Sequence, residues 1–254
     1  MFYKMKQEHY VMRIPRIFYP KNIALEQELV LDSNSSNHVL KVLRLSIGAK
    51  IIIFNGEGGE FKTTISMVKN NLAVIKVNEF IAKNLESSLK INLAQGIGRG
   101  EKMDYVIQKA VELGVHKIIP LFTEYCNVKL NDARLQNKVS RWELIIISAC
   151  EQSGRNYIPS IEMPTHLSKW LTESRNSYNI ILEPQAAINM KNLDIINYSE
   201  ITILIGPEGG LSDIEVLLAQ KNGFIPVRLG PRVLRTETAA LVALSALQTR
   251  FGDF

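Results

Sequence analysis

The chain has 254 residues, 46% hydrophobic and 22% charged, which excludes a disordered polymer and suffices for one large or two small domains with real cores. Its 30 Lys and Arg against 25 Asp and Glu leave a net charge of +5, which permits an acidic partner such as nucleic acid without requiring one. Cys126 and Cys150 fit neither a zinc site nor a CxxC redox pair, and His9, His38, His116 and His166 are scattered, so no metal is expected.

The N-terminus, with Lys4, Lys6 and Glu8, has no apolar core for a signal peptide, and the longest apolar run, Leu144 to Cys150, is too short to span a bilayer. The protein therefore reads as cytoplasmic, with no membrane association. Residues 1–11 differ in pattern from the rest of the chain and read as an N-terminal extension, either a mobile segment or the product of an upstream start codon.

From residue 12 to about 83, short segments rich in Val, Ile, Thr and Phe predict strands at Glu28–Leu31, Ala49–Phe54, Glu60–Val68 and Leu72–Phe80. Asn70-Asn71 suits a tight hairpin and Asn55 to Gly59 a longer one. Ser33 to Arg44 carries Val39, Leu40 and Leu43 among polar residues and predicts one short helix. Together these describe a small β-barrel-like module, with a polar linker at Ala82–Ser88.

From residue 84 onward, strands alternate with helices, the pattern of an α/β domain with a mostly parallel sheet. Strands are expected at Leu89–Gln95, Lys117–Phe122, Asn179–Leu182, Ile201–Ile205 and Phe224–Leu229, and helices at Glu101–Leu113 and Val139–Ser153. Ser212 followed by Glu215 forms a capping box that opens another helix. The last helix, Thr236–Gln248, is apolar nearly all round and calls for cover on several sides, which a subunit interface would supply.

Two stretches place glycine and proline between a strand and a helix: LIGPEGGLSD at Leu204–Asp213 and LGPRVLRTETAAL at Leu229–Leu241. Such turns build backbone-lined pockets, because glycine allows approaches that a Cβ forbids, and two of them suggest one pocket made by two loops. Gly209 and Gly230 are expected where a ligand meets backbone. A third stretch, Gly96-Ile97-Gly98-Arg99-Gly100, resembles a Rossmann nucleotide loop, but Glu101 stands where the third glycine is needed and only Glu124 offers a weak acidic partner. A basic turn with Arg99 and Lys102 is the plainer reading. Arg235 and Glu237 stand between an apolar strand and an apolar helix, either as an ion pair that holds the turn or as working groups. The cluster Glu151-Gln152-Ser153-Gly154-Arg155 reads either as an ordinary helix end favoured by its dipole or as a face toward substrate.

Taken together, RIPRIFYP, RGEKMDYVIQKAVELGV, EQSGR, LIGPEGG and LGPRVLRTETAAL resemble the RsmE family of SPOUT-class RNA methyltransferases, from about Met12 to the C-terminus. The resemblance implies a PUA-like β-barrel that binds RNA over residues 12–83 and a SPOUT α/β domain with a trefoil knot over 84–254. It implies S-adenosyl-L-methionine as cofactor, 16S rRNA of the small ribosomal subunit as partner, a homodimer, and methylation of N3 of a uridine in the decoding region. The Gly96/Gly98 pair lies outside the family pattern, and Ser153 stands where a cysteine is common.

On that basis the expected cofactor residues are Leu182, Glu183 and Pro184 in one loop and Gly206, Pro207, Glu208, Gly209 and Gly210 in the next. Leu229, Gly230, Val233, Leu234, Arg235, Thr236 and Thr238 supply the third loop. Arg155 or Arg235 is expected to stabilise charge developing on the base, and Glu237 to serve as a base if its proton affinity is raised. Arg13, Arg16, Arg99 and Lys102 are expected to meet RNA phosphates. Two alternatives stay open on the residues alone: a Rossmann-type methyltransferase using the Gly96 loop, and a catalytically silent RNA-binding protein.

Overall fold

The computed structural model describes residues 14–126, 132–173, 175–195 and 198–254. The chain divides into two compact units, Met1–Asn84 and Leu85–Phe254. The N-terminal extension and Arg13 lie outside the described residues.

The first unit is a five-stranded sheet in the order β1-β3-β4-β5-β2, built from β1 (Arg16–Phe18), β2 (Glu28–Val30), β3 (Lys50–Phe54), β4 (Glu60–Lys69) and β5 (Leu72–Ile81). Strand β1 pairs with β3 in parallel, while the β3–β4, β4–β5 and β5–β2 pairings are antiparallel. The β4–β5 hairpin turns at Asn70 and Asn71, both at positive φ (51° and 61°), the left-handed conformation that a tight primed turn needs and asparagine tolerates. The apolar side chains of alternate strand positions, among them Ile17, Leu29, Ile51, Ile53, Ile65 and Ile75, form the core.

The single helix expected over Ser33–Arg44 is divided. Helix α1 (Ser33–Asn37) is capped by Asp32, whose carboxylate accepts from the N–H groups of Asn34 and Ser35, and a π-helical turn follows at His38–Val42. The expected RNA contact at Arg16 is corrected here. Its guanidinium is buried against the Glu60 carboxylate and over the Phe54 ring, 4.8 Å from the centroid, so it is a buried structural cation inside this unit.

The second unit is built on a parallel sheet, eight-stranded among the described residues, in the order β11-β13-β10-β12-β6-β7-β8, with β9 also on β7. Its strands are β6 (Lys90–Gly96), β7 (Val115–Phe122), β8 (Ser160–Ile161), β9 (Thr165–His166), β10 (Tyr178–Leu182), β11 (Ile188–Asn189), β12 (Glu200–Ile205) and β13 (Ile225–Arg228). The central strands β6 and β12 are buried along almost their whole length, as strands of a parallel sheet covered on both faces should be. Strand β10 lies between β12 and β13, so the chain leaving β12 crosses over β10 to reach β13.

Helices α2 (Lys102–Glu112), α3 (Asp132–Ser153), α4 (Leu167–Leu171), α5 (Asp213–Lys221) and α6 (Thr236–Phe251) complete the unit. Helix α3 begins seven residues before the expected Val139, in a stretch too polar to show an apolar face. Asp104 of α2 ties the two helices together, accepting from Trp142 Nε1 at 3.0 Å and pairing with Arg141. The expected capping box on α5 is present, with Ser212 and Glu215 serving each other's backbone N–H. In α6 the buried side chains include Ala240, Ala243, Leu244 and Leu247, whereas Val242 is 41% exposed. No helix among the described residues is long and apolar enough to cross a membrane.

Candidate active site

Parallel strands end their carboxyl termini on one side of a sheet, and ligands of open α/β sheets collect there. Here β10, β12 and β13 end at Leu182, Ile205 and Arg228, and the loops that follow them enclose a cavity of about 350 Å³. That volume is in the range of small-molecule sites. The β10 loop contributes Leu182, Glu183 and Pro184, the β12 loop Gly206, Pro207 and Glu208, and the β13 loop Leu229, Gly230, Arg232, Leu234 and Arg235. Thr236 and Ala239 from the first turn of α6, and Lys102 from the start of α2, close the wall.

Three loops that meet must be fastened, and polar side chains at their roots do this. The Thr236 hydroxyl donates to the Gly206 carbonyl at 2.6 Å, and Gln95 at the end of β6 donates to Thr236 at 3.0 Å and to the Gly96 carbonyl at 3.1 Å. Glu208 fastens the outer edge. Its carboxylate accepts from the Arg99 backbone N–H at 3.0 Å and pairs with Lys102 Nζ at 3.2 Å. Burial alone would raise the Glu208 pKa, but its own N–H, the Arg99 N–H and the Lys102 ammonium outweigh that and hold it below the ordinary value.

These contacts explain the Gly96–Gly98 pair. A Cβ on Gly96 would stand 2.6 Å from Pro207, and one on Gly98 would stand 3.3 Å from the Glu208 carboxylate. The two glycines let the β6 loop lie flat against the β12 loop. The glycines of this loop thus serve its packing against Pro207 and Glu208, and the cavity lies at the β10, β12 and β13 loops, which argues against the Rossmann-type alternative.

Among the expected cofactor residues, Leu182, Glu183, Pro184, Gly206, Pro207, Glu208, Leu229, Gly230, Leu234, Arg235 and Thr236 line the cavity. Gly209, Gly210, Val233 and Thr238 are not in its wall. A Cβ at Gly209 would stand 2.8 Å from the Tyr125 side chain, so its missing side chain serves loop packing, whereas Gly230 has open space around the same position. Val233 is 81% exposed. Ile205, Val227, Arg228, Arg232, Lys102 and Ala239 also line the cavity, beyond the expected set; the strand ends themselves are the available signal for Ile205, Val227 and Arg228.

Of the residues assigned chemistry, Arg235 lines the cavity, at the N-cap of α6. Arg155 does not. It is 5% exposed, held by Glu86 and donating to the carbonyls of Val111 and Val115, both at 2.9 Å. Its charge is committed to joining the end of α3 to α2 and β7, which corrects the expectation that it faces the base. Glu237 follows Thr236 on α6 and is absent from the cavity wall; one of its carboxylate oxygens is buried without a hydrogen-bond partner among the described residues. Arg99 is exposed at the rim beside Glu208. Among the described residues, no group of three or more His, Cys, Asp or Glu side chains could hold a metal ion.

The comparisons with known proteins agree with this geometry. The RNA methyltransferase domain family matches residues 85–248, and the RNA methyltransferase PUA domain family matches residues 31–78. The ribosomal RNA small subunit methyltransferase E of Buchnera aphidicola subsp. Acyrthosiphon pisum is 43% identical over 95% of this chain and 96% of its own length. Its counterpart in Bacillus subtilis is 33% identical over 83% of this chain and 86% of its own. Among solved structures, a methyltransferase of Legionella pneumophila in complex with SAM superposes with a TM-score of 0.92 at 42% identity, covering 96% of this chain and all 100% of that one. The ribosomal RNA small subunit methyltransferase E of Neisseria gonorrhoeae bound to S-adenosyl methionine gives 0.88 at 35% identity, covering 95% and 99%. A cavity at the strand ends of a parallel sheet, in a chain matched along nearly its whole length by these enzymes, places the protein in the ribosomal RNA small subunit methyltransferase E family.

Proposed function

We propose that this protein transfers a methyl group from S-adenosyl-L-methionine to N3 of a uridine in the decoding region of 16S rRNA. The observation that carries the reading is the cavity formed by the loops after β10, β12 and β13. Its wall suits such a cofactor. Leu182, Ile205, Val227, Leu229, Leu234 and Ala239 are apolar surface for an adenine ring, the loop backbones offer N–H and C=O groups, and Gly230 leaves open space beside the chain. When bound, the sulfonium supplies an activated methyl group, so no metal is needed.

The remaining chemistry falls to the protein. Uracil N3 carries a proton and is a poor nucleophile at neutral pH. The enzyme must hold the base in line with the methyl group, which supplies a large share of the acceleration in such transfers. It must also favour the deprotonated base. Arg235, in the cavity wall, brings positive charge to that place. Glu237 does not reach the wall, so the N3 proton is assigned to solvent at the cavity mouth. Arg99, exposed at the rim, meets RNA phosphate, and the PUA-like unit adds further RNA surface.

The reading includes a cytoplasmic homodimer whose contact uses the outer face of α6 around Val242, and a trefoil knot formed where the chain after β13 passes the β10 and β12 loops. A catalytically silent RNA-binding protein is the competing reading. Incubation with labelled S-adenosyl-L-methionine and small ribosomal subunits from cells lacking the protein decides between them. Label on 16S rRNA supports the proposal; RNA binding without label, at measurable protein concentrations, overturns it. Light scattering in the same samples should give twice the mass of one chain.

A further inference from the structure

We infer that Lys102 acts on the target base as a second cation beside Arg235, the better preorganised of the two, and that Glu208 is the positioning residue that aims it; the inference rests on the methyl transfer proposed above. Both residues line the cavity, and the Lys102 ammonium sits 3.2 Å from the Glu208 carboxylate. Lys102 is the first residue of α2, a helix anchored by the buried side chains of Met103, Val106 and Ile107, so its Cα is fixed by the core. Glu208 is fixed in turn by the Arg99 N–H at 3.0 Å, and the close seat of Gly96 on Pro207 holds the two loops together.

Charge that is already in place when the transition state forms costs no reorganisation, which is why preorganised groups dominate this kind of catalysis. Arg235 lacks that support. Its guanidinium has no hydrogen bond or ion pair among the described residues, and its helix position is an exposed N-cap. Lys102 is paired with a carboxylate on the same cavity wall. The other charged groups on the same wall are Glu183, Arg228, Arg232 and Arg235.

In the transfer, the N3–H bond breaks and its proton leaves to solvent. The freed electron pair forms the bond from N3 to the methyl carbon as the carbon–sulfur bond breaks and its pair returns to sulfur. Negative charge therefore builds on N3 and the flanking carbonyl oxygens before the methyl is fully transferred. A fixed ammonium next to those atoms favours the deprotonated base, and its value is greatest where the base is otherwise protonated.

That dependence gives the test. Single-turnover methylation of small ribosomal subunits is measured across pH for wild type, Lys102→Met, Lys102→Arg, Glu208→Gln and the Lys102→Met/Glu208→Gln double variant. Affinity for S-adenosylhomocysteine is measured by calorimetry and affinity for a 16S rRNA fragment by filter binding. At neutral pH Lys102→Met should lose on the order of 10²-fold in rate, as loss of a preorganised charge does. The loss should shrink at least about tenfold as pH rises into the range where uracil N3 titrates by itself. Lys102→Arg should recover part of the rate. Glu208→Gln should show the same pH signature at smaller size, and the double variant should be no slower than Lys102→Met, because the carboxylate acts through the lysine. S-adenosylhomocysteine affinity should fall far less than the methylation rate in all of them.

A rate loss in Lys102→Met that is constant with pH, or one accompanied by an equal loss of RNA affinity, makes Lys102 an RNA-docking charge and overturns the proposal. Additive losses in the double variant, or a loss of S-adenosylhomocysteine affinity in Glu208→Gln as large as its loss of rate, overturn the positioning role of Glu208. Wild-type protein that leaves uridine N3 unmodified counts against the function itself, whatever the variants do.

Discussion

The hydroxyl of Thr236 donates to the carbonyl of Gly206 at 2.6 Å, joining the first residue of α6 to the glycine that opens the GPEGG turn. Both residues line the cavity, and the same hydroxyl accepts from Gln95 at the end of β6. One side chain thus fastens three chain segments that are far apart in sequence.

Thr236→Val keeps the shape and removes the hydroxyl. The Gly206 carbonyl and the Gln95 amide then lose a partner in a buried place, which should cost about 1 to 3 kcal/mol of stability. Denaturant unfolding measures the loss. Cofactor affinity should fall as well, because the β12 loop and α6 are no longer held at one spacing.

Two glycines should respond in opposite ways. Gly230→Val projects into open space beside the cavity, so the protein should fold normally and lose cofactor binding by calorimetry. Gly96→Ala forces a methyl to 2.6 Å from Pro207 and should cost about 1 to 3 kcal/mol of folding stability as overpacking does. Normal cofactor affinity in Gly230→Val would remove that loop from the site.

Arg155→Ala is expected to act on stability and not on chemistry. Removing Arg155 takes its donors away from Glu86 and from the Val111 and Val115 carbonyls in a largely buried place, a cost of about 3 kcal/mol. Below its melting temperature, the folded variant should methylate at the wild-type rate. A large rate loss in protein shown to be folded would return Arg155 to the site.

The Glu208 latch carries a pH signature. Its folded-state pKa is held below the ordinary 4.5, so it contributes stability that is fully present above that value and is lost as pH falls through the folded value. The melting temperature of wild type should exceed that of Glu208→Gln at neutral pH, and the gap should close on acidification below about 4.5. A gap that stays constant down to the acid transition would mean that the carboxylate charge is not what holds the loops.

Much of this architecture is legible in the sequence where the signal is local. The Ser212–Glu215 capping box, the Asn70-Asn71 turn and the strand–glycine–helix passages at Gly206 and Gly230 are each decided by neighbours within a few residues, and each is present in the structure. Features set by distant partners are not legible. Arg155 resembles a candidate for chemistry because its partner Glu86 lies 69 residues away, and Arg16 resembles an RNA contact because Glu60 lies 44 residues away. The Gly96–Gly98 pair imitates a nucleotide loop, and only the three-dimensional approach of Pro207 and Glu208 gives it another reason. Strand β1 carries no turn signal of its own; its three residues are ordered by parallel pairing with β3. Lys102 reads as a phosphate contact because sequence shows its charge but not the Glu208 carboxylate, 106 residues away, that lies 3.2 Å from its ammonium.

The fate of 16S rRNA tests the proposed methyl transfer most directly. The RNA is taken from cells lacking the protein, treated in small subunits with the pure protein and S-adenosyl-L-methionine, and digested for mapping by mass spectrometry. The expected result is a methyl group on N3 of one uridine in the decoding region, absent before treatment and absent when Gly230→Val replaces wild type. Methylation at a different atom or outside the decoding region, or none with the wild-type protein, would contradict it.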